Sequence, residues 1–210
     1  MIRDAYLVAA TVLTDFLDHP AIEAAWGAPS RLPKMTVGGV AVHLGSAIGR
    51  VPPLLAASPP DEAPIPLLEH FVRASWRGGD IDNPRNTEIR TGSEAAAGGG
   101  GAALVKQCRG HLAELRERLP AEPSGRVVLF APGPWALTLD DFLVTRLVEM
   151  AVHLDDLAVS VEQETPDLPQ EALAAVFAVL TRLAVHEHGP IAVLRALTRA
   201  ERAPASIAVL

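Results

Sequence analysis

A chain of 210 residues suits one compact domain, or one with a small appendage. Apolar residues make up 49% of it, ample for a sizeable core. A net charge of −7 argues against a broad phosphate-binding surface, and so against nucleic acid as a partner, while leaving room for local basic pockets.

Alanine, leucine and valine dominate, aromatics are scarce, and the apolar residues recur mostly at helical spacing, which predicts an all-α fold. Residues 3–18 read as a first helix that stops near His19-Pro20. Asp4, Asp15 and Asp18 interrupt or bound its apolar stretch, and no basic leader or small-residue cleavage site accompanies it, so no signal peptide is expected. After "GAPSRLPKM", Thr36 is placed to cap a second helix over 37–51, with Met35 and Val40 spaced for a hydrophobic staple and Pro52-Pro53 as the stop. "AASPPDEAPIP" reads as a proline-rich loop and 66–77 as a third, shorter helix. "RGGDIDNPRNTEIRTG" reads as a further loop, ending at Ser93 as the N-cap of a helix over about 94–119. Gly98 to Gly101 inside that helix mark a break or a close approach of backbone. A phosphate loop is the weakest reading, because no strand precedes the glycines and no Lys-Ser/Thr pair follows. The single cysteine, Cys108, excludes an intrachain disulfide and a CxxC pair; it reads as a buried structural residue, and a reducing cytoplasm is expected.

"RVVLF", 126–130, is the clearest strand. Beyond "APGPW", Thr138 can cap a long helix to about 163, with Asp141 at its third position. Two helices follow, 169–188 and 190–202, split by Gly189-Pro190. Arg182 breaks the run "ALAAVFAVLTRLAV", which falls short of the roughly 18 residues a membrane span needs. "SIAVL", 206–210, reads as a second strand that could pair with 126–130. The expected architecture is a four-helix bundle with main helices near 3–18, 37–51, 94–119 and 138–163, plus extra C-terminal helices and a small two-stranded ribbon. Residues 1–163 would form the bundle and 164–210 an extension packed on the same domain.

"RLVEMAVHLDD", 146–156, holds the most informative residues. Phe142, Arg146, Glu149, His153, Asp156 and Ser160 fall on one stripe of the long helix, opposite Val144, Leu147, Val148, Ala151, Leu154 and Ala158. Taken alone, that stripe is compatible with a solvated face. The second helix is apolar nearly all round, and His43 is its only titratable residue between Lys34 and Arg50. Its neighbours on that face, Gly39, Ser46 and Ala47, are small and would clear space above the imidazole. A buried histidine needs a partner, whether a backbone carbonyl, a lone carboxylate or a metal. If the bundle turns both helices inward, His43, Glu149 and His153 make a cage for a divalent cation. Zinc suits this donor set best, and three protein ligands leave coordination positions open.

The segments "MTVGGVAVHLGSAIGRV", "TLDDFLVTRLVEMAVHLDDLA" and "LRALTRAERAPASIAVL" resemble the mycothiol-dependent maleylpyruvate isomerase family, within the wider DinB-like metalloprotein group. The sharpest element is a histidine in the second helix followed by R-x-x-E-x-x-x-H-x-x-D in the fourth. The resemblance implies His43, Glu149 and His153 as metal ligands, Asp156 as the acid that orients a ligand, and Arg146 as a partner of Glu149 or of an anionic substrate. Met35-Thr36 stand where many relatives have a tryptophan, and Gly38-Gly39 where many have a charged residue. Some relatives carry a further C-terminal domain, whereas only residues 164–210 follow the fourth helix.

The expected function is therefore that of a metal-dependent transferase or isomerase. Its cosubstrate would be a low-molecular-weight thiol, by resemblance mycothiol, activated as thiolate against a small electrophile. Asp80, Asp82, Asn83, Arg85 and Asn86 are candidates to bind the sugar rings of that thiol. A hydrolase using the same cation to activate water is an alternative. So is a non-catalytic binding module, with a homodimer among its assemblies. "HEH", 186–188, reads as a helix end rather than a second metal site, and His19, His70 and His111 as solvated.

Overall fold

Helix α1 (Ile2–Leu17) follows the predicted periodicity, with Tyr6, Ala9, Ala10, Leu13 and Leu17 on its inner face. The computed structural model describes residues 1–77, 80–130 and 133–210. Gly78-Gly79 of the expected loop and Ala131-Pro132 of the expected turn lie outside the described residues. A short helix absent from the expected elements, α2 (Pro20–Ala25), has Pro20 in its first turn, and His19 Nδ1 accepts the Ala21 N–H at 3.2 Å. Thr36 caps α3 (Val37–Gly49) as expected. The chain continues into α4 (Val51–Ala56), because Pro52 and Pro53 occupy first-turn positions that need no intrahelical donor. Helix α5 (Leu67–Arg73) is the third, shorter helix of the prediction.

Two expectations fail between 80 and 119. The polar stretch expected as a loop is helix α6 (Pro84–Ala97), started by Pro84 in its first turn and by the Asn83 side chain, which accepts the Asn86 N–H at 2.8 Å. Ser93, expected as an N-cap, is buried inside it. The glycine run is a break: α6 ends at Ala97, Gly100 takes a φ of 81°, and α7 (Gly101–Arg118) begins anew. Trp26 Nε1 donates to the Ala97 carbonyl at 3.0 Å and so satisfies one of the acceptors that the helix end exposes.

Strand β1 (Val127–Phe130) lies where the sequence placed it, but its partner differs. It pairs antiparallel with β2 (Trp135–Thr138), Val127 opposite Thr138 and Phe130 opposite Trp135. Residues 206–210 form no strand; the carbonyls of Ala208 and Val209 accept from His188 Nε2 at 3.1 Å and Arg77 Nε at 3.0 Å. A hairpin between near neighbours closes a far shorter loop than a pairing across some seventy residues, and costs less chain entropy. Thr138 then caps α8 (Leu139–Ser160), its hydroxyl accepting the Asp141 N–H at 3.1 Å. Gly189, at φ 80°, separates α9 (Gln170–His188) from α10 (Pro190–Thr198).

Helices α1, α3, α7 and α8 pack on one another around a core that includes Leu13, Leu44, Ile48, Leu115 and Leu147. The fold is thus a helical bundle with a two-stranded ribbon. Helix α6 lies along α3, and α9 packs on α1, α5 and α8. Among the described residues no helix is long and apolar enough to cross a membrane.

The ribbon buries a histidine that the sequence reading left in solvent. His70 is 1% exposed, packs edge-on against Phe130 and Phe71, and accepts the Trp135 indole N–H at 3.1 Å. Burial, helped by the Arg146 charge, pushes its pKa down to about 4. Below its ordinary value of 6.5 the unfolded chain takes up a proton that the folded chain refuses until about pH 4, so stability falls through that window. At 1.36 kcal/mol per pKa unit, wild type should lose about 2 kcal/mol more than His70→Phe between pH 7 and pH 4.5, read by urea unfolding. Parallel losses in the two proteins would mean that His70 is not held neutral.

Candidate metal centre

Helix α3 can start where it does because α6 holds it there. The Glu94 carboxylate of α6 accepts the Thr36 N–H at 2.8 Å and the Thr36 hydroxyl at 2.9 Å, while Thr36 Oγ1 accepts the Gly39 N–H at 3.0 Å. A Cβ on Gly39 would overlap Glu94 Oε1, and one on Gly38 would lie 2.7 Å from the Trp26 ring. Gly45, a turn and a half further on, lets Leu104 and Cys108 of α7 approach. The small residues near His43 therefore serve helix packing more than open space: at Gly39 the vacated volume is filled by Glu94. Ser46 alone faces a cavity.

One helical turn beyond Gly39, His43 points across the bundle at α8. Its Nε2 lies 3.2 Å from Glu149 Oε2, and His153 Nε2 lies 3.5 Å from the same oxygen. The two imidazoles meet edge to face with centroids 4.7 Å apart. One donor atom from each of the three residues falls within 4.8 Å of the others, the one such cluster of three among the described residues. On the far side of His153, Nδ1 and Asp156 Oδ2 are 2.9 Å apart; with a proton on Nδ1 the ring donates to Asp156, which turns Nε2 toward Glu149. The polar stripe of α8 is therefore an interior feature. Arg146 is 5% exposed, stacks over Phe142 at 5.1 Å, donates from Nε to Thr145 Oγ1 at 3.1 Å and reaches Glu149 Oε1 at 3.9 Å.

The electrostatics follow from this crowding. Burial lowers the His43 pKa, and the Glu149 hydrogen bond offsets that only in part, so the ring is neutral near pH 7. Burial would raise Glu149, yet hydrogen bonds from His153 and His43 and the Arg146 charge hold its carboxyl well below the usual range. Burial would likewise lower His153, but its hydrogen bonds to Asp156 and Glu149 carry it up to about 9. Two imidazole nitrogens and an ionised carboxylate turned toward one point are a donor set that fits a divalent cation, which would take the place of the proton on His153.

A cavity of about 410 Å³ opens on the three residues, with Trp76, Ile81, Ile89, Phe130 and Val152 among its apolar walls. A second, of about 320 Å³, also borders His43 and is lined by Ser46, Glu88 and Ser93. His43, Arg50, Arg85 and Ile89 border both. Of the five loop residues expected to bind a sugar, Arg85 and Asn86 line the larger cavity. Asp80, Asp82 and Asn83 are engaged in local structure: Asp82 pairs with Lys34 and Arg90, Asp80 accepts the Asp82 N–H, and Asn83 caps α6. Cys108 is buried as expected, its thiol pushed up to about 11 by burial. His186 and His188 sit in the last turn of α9, where Glu187 pairs with Arg77.

Residues 7–158 match the family model described as the mycothiol maleylpyruvate isomerase N-terminal domain. The chain belongs to this family. None of the curated proteins and none of the solved structures compared with the chain matches it. The family match runs from within α1 through nearly all of α8, so it takes in His43, Glu149, His153 and Asp156, and ends before α9 and α10.

The clamp on α3 makes a specific demand. Gly39→Ala must displace Glu94 and leave the Thr36 N–H without its acceptor, which should lower stability by about 1–3 kcal/mol, measured by urea unfolding. Gly110→Ala, where a Cβ meets open space, serves as the comparison and should be neutral or slightly stabilising. Equal stability of the two variants would remove the clamp.

Proposed function

We propose that this family member is a metal-dependent enzyme that uses a low-molecular-weight thiol, mycothiol in the reading the family supports, to transfer to or isomerise a small electrophile. The observation that carries the proposal is the convergence of His43, Glu149 and His153 at the floor of an apolar cavity. A bound divalent cation, zinc by the donor set, would stabilise the cosubstrate thiol as thiolate near neutral pH. The chain's own residues do the rest. Asp156 fixes the His153 ring so that Nε2 faces the cavity. Arg146 adds its charge to the two histidine hydrogen bonds that keep Glu149 ionised. The apolar walls keep bulk water away from the reacting atoms. The chain's own thiol is unsuited to the role, because Cys108 is buried in α7 and protonated at neutral pH.

Elemental analysis of the purified protein should find about one divalent metal per chain, and none in His43→Ala or His153→Ala. A fully loaded His43→Ala protein would overturn the assignment. Asp156→Asn should keep the ligands but weaken metal affinity roughly 10–100-fold, read by competition with a chelating dye. With a small electrophile in the assay, product should form only when mycothiol is added and the protein should melt at higher temperature in its presence. Equal turnover without any thiol would assign a hydrolase instead.

A further inference from the structure

Four arginines border the larger cavity, and three of them have partners. Arg85 pairs with Glu88 at 2.6 Å, Arg90 with Asp82 at 3.1 Å, and Arg146 with Thr145 and Glu149. Arg50 differs: among the described residues its side chain has no hydrogen bond and no ion pair, although it is half-buried between the two cavities. It lies seven residues after His43, at the residue that ends α3, and its helical backbone keeps it on the face that carries His43. Burial and the neighbouring Arg146 charge both weigh against its cation, lowering its pKa, and Glu149 and Glu88 relieve this only in part. An unpaired guanidinium that is partly desolvated is costly, and the open cavity beside Arg50 leaves room for an anion to offset that cost.

We propose that Arg50 is the carboxylate receptor of this site, and that the substrate is an electrophile bearing one carboxylate on an apolar body. The inference rests on the cavity being the substrate site of the proposed enzyme and names the class of molecule it takes. The apolar body follows from the walls, where apolar side chains, Trp76, Ile81, Ile89, Phe130 and Val152 among them, present most of the exposed surface. A single carboxylate follows from the count of unpartnered guanidinium groups, since one planar fork meets one carboxylate through two parallel N–H···O bonds. Arg50 is a binding and specificity residue in this scheme; the chemistry stays with the cluster around His43.

Phenylacetate and its neutral isostere phenylacetamide test the idea by calorimetry, on chelator-treated and on zinc-loaded protein. Wild type should bind the acid at least tenfold more tightly than the amide in both forms. Arg50→Gln should lose that preference while binding the amide as before, which also reports an intact cavity, and Arg50→Lys should keep part of the preference because it keeps the charge. Undiminished acid binding by Arg50→Gln, or a preference for the acid that arises only on zinc loading and ignores Arg50, would overturn the proposal. A protein that holds no metal yet shows the Arg50-dependent preference would sink the metal reading and leave this one standing.

Discussion

A carboxylate that faces two imidazoles and a guanidinium inside a helical bundle stays there only if the packing gives it no other choice. Glu149 is in that position. Desolvation works against its charge, and the two histidines and Arg146 together outweigh it. The three partners come from two helices, so the register of α3 against α8 decides whether the cluster exists at all. Sliding one helix by a single turn, about 5.4 Å, would carry His43 out of hydrogen-bond reach. Leu44 and Ile48 on α3, and Leu147 and Leu154 on α8, are fully buried in the core that α3 and α8 share, and close packing there holds that register.

The N-terminus of α3 is fixed by a second device. Glu94 accepts two hydrogen bonds from Thr36, and Gly39 supplies the room for it. Glycine in a helix interior costs roughly 1 kcal/mol relative to alanine, and α3 carries four: Gly38, Gly39, Gly45 and Gly49. Three of them admit a neighbour that a methyl group would displace: Trp26 at Gly38, Glu94 at Gly39, and Leu104 with Cys108 at Gly45. The helix gives up intrinsic stability so that α2, α6 and α7 can approach its backbone. A helix enclosed on so many sides has little freedom to tilt, and that rigidity is what a ligand at its centre requires.

How much of this was legible in the sequence depends on the range of the signal. Helix caps are local, and Thr36 and Thr138 declared themselves through the hydroxyl placed before an apolar run. The stripe on α8 was legible as a stripe, but not as an interior one: Arg146 and Asp156 look the same on a helical wheel whether water or another helix lies beyond. Only the apolar surroundings of His43 hinted that the polar face turned inward. Helix α6 was missed because its residues are polar and its apolar moment is weak, although Asn83-Pro84 is a start signal of the same kind as Thr36. The ribbon was half read: β1 announces itself, whereas Trp135–Thr138 merges with the cap of α8, and "SIAVL" has strand composition without a strand's environment. His70 carried no sequence signal at all, since its burial depends on Trp135 and Phe130 arriving from the hairpin.

The same distinction of range separates the two halves of the candidate site. The donors on α8 sit at a helical interval, i to i+4, and any sequence that keeps both helices inward and in this register will present them together with His43. The cavity wall has no such regularity. Trp76 comes from the segment after α5, Ile81 from the loop before α6, Ile89 from α6 and Phe130 from β1. These elements are brought to α3 and α8 by tertiary packing, so their arrangement can change while the donor geometry is kept. A scaffold divided in this way can hold a constant reactive centre beneath a variable binding wall. Arg50 falls between the two: it caps the end of α3, two turns beyond His43, yet lines both cavities together with the wall residues, where a change of substrate would act first.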